Sequence, residues 1–108
     1  MRPVFDVLIH APTRLRITAA LAAVDGADFS AIRDSLGVSD SVLSKHVKPL
    51  SEAGYVNITK TVIDSHVRTS LALTSKGRKA YRGHIESLRE LTTMGEAEAS
   101  PVGTNDAL

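Results

Sequence analysis

Serine, histidine and aspartate all occur in this 108-residue chain, so nucleophilic hydrolysis is the first chemistry to weigh. The framework that such chemistry needs is missing: there is no Gly-x-Ser-x-Gly elbow, no glycine-rich phosphate loop and no paired-histidine metal motif. The absence of cysteine removes thiol catalysis, thiolate zinc sites and disulfides, and it fits a reducing, cytoplasmic setting. His84-Ile85-Glu86 offers two metal ligands, but residues two apart on a helix project about 200° from each other, a poor chelate. The chain therefore reads as a non-enzyme with no catalytic residue, no cofactor and no resident metal. What remains is a set of hydroxyls and cations. Ser39, Ser41, Ser44, Lys45, His46 and Lys48 lie in one stretch, His66 and Arg68 in a second, and Lys76, Arg78 and Lys79 in a third. Short hydroxyls beside long cations suit phosphates and base edges.

The charge distribution agrees with that selection. The formal net charge is only +1, but it averages three unlike pieces. Residues 1–40 sum to −1, residues 41–82 to +6 and residues 83–108 to −4. A basic middle between a near-neutral front and an acidic end is the footprint of a polyanionic partner, or else a solvated surface; the elements that carry the charges must decide. Length allows one domain, and 43% apolar residues can build a small core. No secretion signal is visible, and the longest apolar run, Ala19 to Val24, falls far short of the ~20 residues that span a bilayer.

Pro12 suits a helix first turn and Asp25-Gly26 a stop, which predicts a first helix at about 12–24 after a short lead-in. Ser30 is the expected cap of a second helix that ends at Leu36, with Gly37 as its left-handed terminator. Ser39 is the expected cap of a third helix, and Val38 and Leu43 have the spacing of a hydrophobic staple. Pro49 is expected to kink its last turn and Gly54 to close it. Three residues, Gly37-Val38-Ser39, thus join the second and third helices, the helix-turn-helix spacing. From Tyr55 the period changes to two, Asp64-Ser65-His66 signals a turn, and alternation resumes to Leu73: a β-hairpin. Thr74 then caps a final helix. After Thr93 apolar periodicity ceases, so the chain divides into a domain at 1–94 and a flexible acidic tail at 95–108.

On a helical wheel Leu43, Val47 and Leu50 form one stripe, and Ser41, Lys45, Lys48 and Glu52 lie opposite with Ser44 at the edge. An apolar back and a cationic, hydroxylated front is what a helix in a major groove requires. His46 flanks the stripe, and both a phosphate contact and a packed, hydrogen-bonded histidine stay open for it. Arg68, placed at the hairpin tip with His66, suits a narrow minor groove, or is a solvated loop charge. Lys76 and Arg78 sit in a helix first turn, where the macrodipole disfavours cations, so an external phosphate is a reason for them.

Leu43-Ser44-Lys45-His46-Val47-Lys48-Pro49-Leu50 with Glu52-Ala53-Gly54-Tyr55-Val56 resembles the recognition helix and exit of bacterial and archaeal winged helix-turn-helix regulators of the MarR and ArsR type. Leu73-Thr74-Ser75-Lys76-Gly77-Arg78 resembles their exit from the wing, and Ile9 to Ile17 their first-helix opening, with Thr18 where a larger apolar residue is usual. The resemblance covers about residues 6–92. It implies a mostly α fold with a small β-hairpin, a recognition helix at about 40–53, a wing at about 55–73, and a dimeric transcriptional regulator, a repressor, that binds double-stranded DNA. It also suggests the phosphate role for His46. The wing departs from the pattern, since Ile63, Asp64 and Val67 stand where related wings often carry several arginines.

The apolar side of the last helix, Tyr81, Ile85, Leu88 and Leu91, exceeds what so small a domain buries alone. Pairing with a second copy, aided by Val7 and Leu8, would cover it and set two recognition helices about one DNA turn apart on a pseudo-palindromic operator. Two other readings are a winged helix used for protein contact and a metal-responsive sensor of the ArsR type. A small-molecule effector between the last helix and the helix-turn-helix stays open, although no cluster of residues identifies it.

Overall fold

A computed structural model describes residues 3–103, with side chains through Glu96. Five helices and three short strands follow in the order α1 (Val7–His10), α2 (Pro12–Ala22), β1 (Ala27–Asp28), α3 (Phe29–Leu36), α4 (Asp40–Glu52), β2 (Val56–Ile63), β3 (His66–Leu73) and α5 (Ser75–Gly103). This is a winged helix-turn-helix. Its antiparallel sheet has the order β1-β3-β2, with Ala27 opposite Leu71, Ile58 also opposite Leu71, and Ile63 opposite His66.

Three caps act as their sequence indicates. Gly37 ends α3 with φ 68°, and its N–H donates to the carbonyls of Arg33 and Asp34. Ser39 Oγ accepts the Val42 N–H, opening α4. Thr74 Oγ1 accepts the Gly77 N–H and donates to the Gly54 carbonyl, so one hydroxyl opens α5 and ties it to the exit of α4. Gly77 is a requirement of close approach: a Cβ there would overlap the Tyr55 carbonyl, whose oxygen accepts the Thr74 N–H. The core gathers one side of every helix up to α4 with the sheet: Ile9, Ile17, Leu21, Ile32, Leu36, Leu43, Val47, Leu50, Val56, Leu71 and Leu73. Thr18, fully buried among them, donates its hydroxyl back to the Arg14 and Leu15 carbonyls and leaves no orphaned polar atom.

Several boundaries differ from expectation. Ser30 is not the cap of α3, which begins at Phe29 after Asp28; residues 27–28 are held by pairing with β3 and form a third strand that no local pattern announces. The first helix stops at Ala22, two residues early. Helix α4 runs on through Pro49, which costs only the bond from that position to Lys45. The largest difference is at the end. Helix α5 continues to Gly103, nine residues into the segment expected to be a flexible tail, because Gly95-Glu96-Ala97-Glu98-Ala99 lacks a core-facing stripe yet contains strong helix formers. Residues 104–108 lie outside the described ones. At 29 residues α5 is about 43 Å long, which accounts for a molecule extending 65 × 33 × 21 Å.

Candidate nucleic-acid interface

Helix α4 is fixed from behind and free in front. Leu43, Val47 and Leu50 are buried, while Ser41, Val42, Ser44, Lys45, Lys48 and Glu52 are exposed. Neither Lys45 nor Lys48 is in an ion pair among the described residues. Two polar bridges hold the helix's orientation. At its start Arg33 on α3 donates to Asp40 at 2.9 Å and to Asp34 at 2.8 Å. Asp34 first and Asp40 second hold that guanidinium above its ordinary pKa, and it holds Asp34 below its own. In its middle His46 Nδ1 lies 3.2 Å from Arg14 Nη1, and Arg14 Nε donates to the Leu8 carbonyl at 2.6 Å. A guanidinium only donates, so Nδ1 accepts and the neutral ring carries its proton on Nε2. Burial, and then the positive charges of Arg14 and Lys45, push the imidazole below its usual pKa. His46 is thus hydrogen-bonded within the fold through Nδ1, and its Nε2–H is the donor that a phosphate contact would use.

Between α4 and the hairpin lies a groove of about 480 Å³, lined by Ser44, Lys48 and Ser51 on one side and Ile58, Lys60 and Thr69 on the other. Lys60 is an addition to the residues that the sequence singles out. The period of two points to it, since it shares a strand face with Ile58, which sits opposite the buried Leu71.

The hairpin differs from its expected form. Its turn has only two residues, Asp64 and Ser65, both left-handed at φ 52° and 66°, a type I′ turn whose twist matches the strands. His66 is the first residue of β3, paired with Ile63. Arg68 is not at the tip: it pairs with Thr61 inside the ladder, and its Nε lies 3.7 Å from the Asp28 carboxylate. The tip presents aliphatic surface instead, with Val62 71% and Val67 66% exposed directly opposite each other.

The third cationic stretch divides. Arg78 donates to the carbonyls of Ala22 and Val24 at 3.2 and 2.7 Å, satisfying the end of α2, which gives this cation a structural reason besides the phosphate role expected for it. Lys76 stands over the Tyr55 ring, 5.8 Å from its centroid, in a cleft with Val4, Asp6, Lys79 and Glu86. That cleft shares no lining residue with the α4–hairpin groove. Ser39 Oγ spends a lone pair on its cap and keeps its O–H donor, with a 3.5 Å contact to Ser41 Oγ. Both ring nitrogens of His84 have hydrogen-bond partners, and Glu86 meets Arg89 at 3.4 Å.

Of the expected pairing surface, Val7 and Leu91 are exposed, Ile85 and Leu88 are half-buried, and Leu8 and Tyr81 pack partly against the chain's own core.

Comparisons with known proteins agree with this architecture. A 31% identical relative from Methanocaldococcus jannaschii, an uncharacterized protein, aligns over 85 residues, 79% of this chain and 92% of the relative. The solved transcriptional regulator homologue of Pyrococcus horikoshii superposes with a TM-score of 0.76 at 27% identity, covering 80% of this chain and 85% of that one. The MepR–DNA complex of Staphylococcus aureus has the same fold, at TM-score 0.69 and 16% identity, covering 94% and 82%. The sequence model of the winged helix DNA-binding domain matches residues 13–92, from the start of α2 to the middle of α5, and the chain belongs to that family.

Proposed function

We propose that this chain is a homodimeric repressor that binds a pseudo-palindromic site on double-stranded DNA, with α4 in the major groove and the β2–β3 hairpin at the minor groove. The observation that carries the reading is the front of α4: Ser41, Ser44, Lys45 and Lys48 stand exposed on a helix whose back is locked into the core. The fold shared with a protein solved on DNA supports it. Ser41 and Ser44 approach base edges, Lys45 reaches a guanine or a phosphate, and Lys48 takes a phosphate. In the α4–hairpin groove Lys60 adds a cation on the backbone's path.

A salt titration of binding to duplex DNA tests this. Lys48→Ala weakens binding on specific and random sequence alike and flattens the slope of log K against log[salt] by about 0.9, the increment of a single phosphate. An unchanged slope in both Lys45→Ala and Lys48→Ala would falsify the placement. The aliphatic hairpin tip favours a second reading, a winged helix that docks on a protein. In that case neutralising the α4 front leaves partner binding intact, whereas Val62→Ser abolishes it.

A further inference from the structure

A polar cluster behind the DNA-facing side joins three parts of the chain. His84 on α5 is 0% exposed. Its Nδ1 accepts the backbone N–H of Asp6 at 2.9 Å, and its Nε2 lies 3.2 Å from His10 Nδ1. The Asp6 carboxylate caps α1 by accepting the Ile9 N–H and also accepts the Tyr55 hydroxyl at 2.6 Å, which pushes that phenol up to about 12. Phe5 lies against both imidazoles, with ring centroids 4.6 Å from His84 and 4.7 Å from His10.

The donors fix every proton in this chain of bonds. A backbone N–H only donates, so His84 Nδ1 is bare and its proton is on Nε2. That N–H donates to His10 Nδ1, which must therefore also be bare. No position remains for another proton within this set of bonds. A proton on His10 Nδ1 sets two N–H groups face to face, and one on His84 Nδ1 opposes the Asp6 N–H.

We propose that Asp6, His84 and His10 form a proton-operated latch, which holds residues 3–10 against α5 and releases them when His84 takes up a proton. Burial first, and then the neighbouring His10, push His84 below its usual pKa, against a smaller opposing pull from Asp6. The other charged groups near Asp6 are Lys76, Lys79, Arg82 and Glu86 on α5, which line the adjoining cleft with Tyr55. The sign follows from that direction: the latch is whole above the free imidazole's pKa near 6.5 and weakens as pH falls below it, because the released state protonates first. Tyr55 lies three residues past the end of α4, so release also cuts the tie between the helix exit and the N-terminal segment. The latch does not depend on whether α4 binds DNA.

Hydrogen exchange of the Asp6 amide, followed by NMR on the full chain from about pH 7.5 to 5.5, tests it. After correction for intrinsic exchange, protection holds above pH ~6.5 and falls by up to about tenfold per pH unit below it, for one proton. In His84→Gln the side-chain carbonyl accepts the same N–H without titrating, and protection becomes independent of pH. Flat protection in the wild type, or an equal fall in His84→Gln, overturns the proposal. Imidazole 15N shifts of the unaltered protein give a check that no misfolded variant can confound. The latch requires His84 as the Nε2–H tautomer with a midpoint below that of an exposed histidine. An ordinary midpoint overturns it.

Discussion

Single atoms decide the sign of a substitution in this fold, and α5 carries a matched pair of cases. At Gly77 a methyl group meets the Tyr55 backbone, which cannot give way without disturbing the Thr74 and Tyr55 hydrogen bonds that join α5 to α4. Gly77→Ala therefore costs about 1–3 kcal/mol, as overpacking does. Gly95, on the same helix, has nothing within 4 Å, and Gly95→Ala gains about 0.5–1 kcal/mol from helix propensity alone. Urea unfolding of the two variants should move in opposite directions. His46 is the second case at this scale. Its depressed pKa means that the unfolded chain binds a proton before the native one does, so its contribution is whole above pH ~6.5 and is lost as pH falls. The loss is bounded at about 1.4 kcal/mol per pH unit for one group. His46→Gln, which keeps an acceptor for Arg14, should narrow the stability difference between about pH 7.5 and 5.5. Equal differences in both proteins would show that Arg14 tolerates an imidazolium.

The element scale separates what the sequence makes legible from what it hides. Caps at Gly37, Ser39 and Thr74, and the Leu43-Val47-Leu50 stripe, are local and periodic, so α3, α4 and the start of α5 are readable within a residue or two. Strand β1 is not, because two residues have no period and Asp28 is ordered only by a partner some forty residues on. The place of Arg68 is hidden for the same reason: a turn counted as three residues puts the arginine near the tip, whereas a two-residue turn draws it into the ladder beside Asp28. Lys60, a single lysine among β-formers, has no motif; the period of two sets only its strand face, and its meaning comes from the helix across the groove. This exchange of roles is measurable. Both members of the Arg68–Asp28 pair are more than a third exposed and salt screens them, so the pair contributes at most about 1 kcal/mol to stability. In DNA titrations Lys60→Ala should weaken binding and flatten the salt slope by about 0.9, with Arg68→Ala changing the slope less. The reverse order would return the minor-groove role to Arg68.

At the scale of the whole molecule, a net charge of +1 conceals a +6 middle that the fold divides among unlike tasks. Arg78 closes α2, Arg68 lies beside Asp28, Lys76, Lys79 and Arg82 line the cleft with Tyr55, and Lys45, Lys48 and Lys60 are the cations of the proposed polyanion face. In the proposed dimer a second copy raises the modest affinity of one: once the first half-site is held, the second binds at an effective concentration of order millimolar. The surface available for pairing is aliphatic. Leu91 is 54% and Met94 58% exposed beyond the half-buried Ile85 and Leu88, while Val4 and Val7 are exposed on the N-terminal segment that crosses α5 at Gly83. Sedimentation of the wild-type chain should therefore give about 23 kDa, twice the 11.5 kDa chain. Leu91→Glu, outside the core, should keep the helical circular dichroism, sediment as a single chain and lose most DNA affinity, because the two recognition helices no longer act together. A dimer that survives Leu91→Glu moves the interface off this stretch of α5, with the N-terminal segment the next surface to test through Val7→Glu.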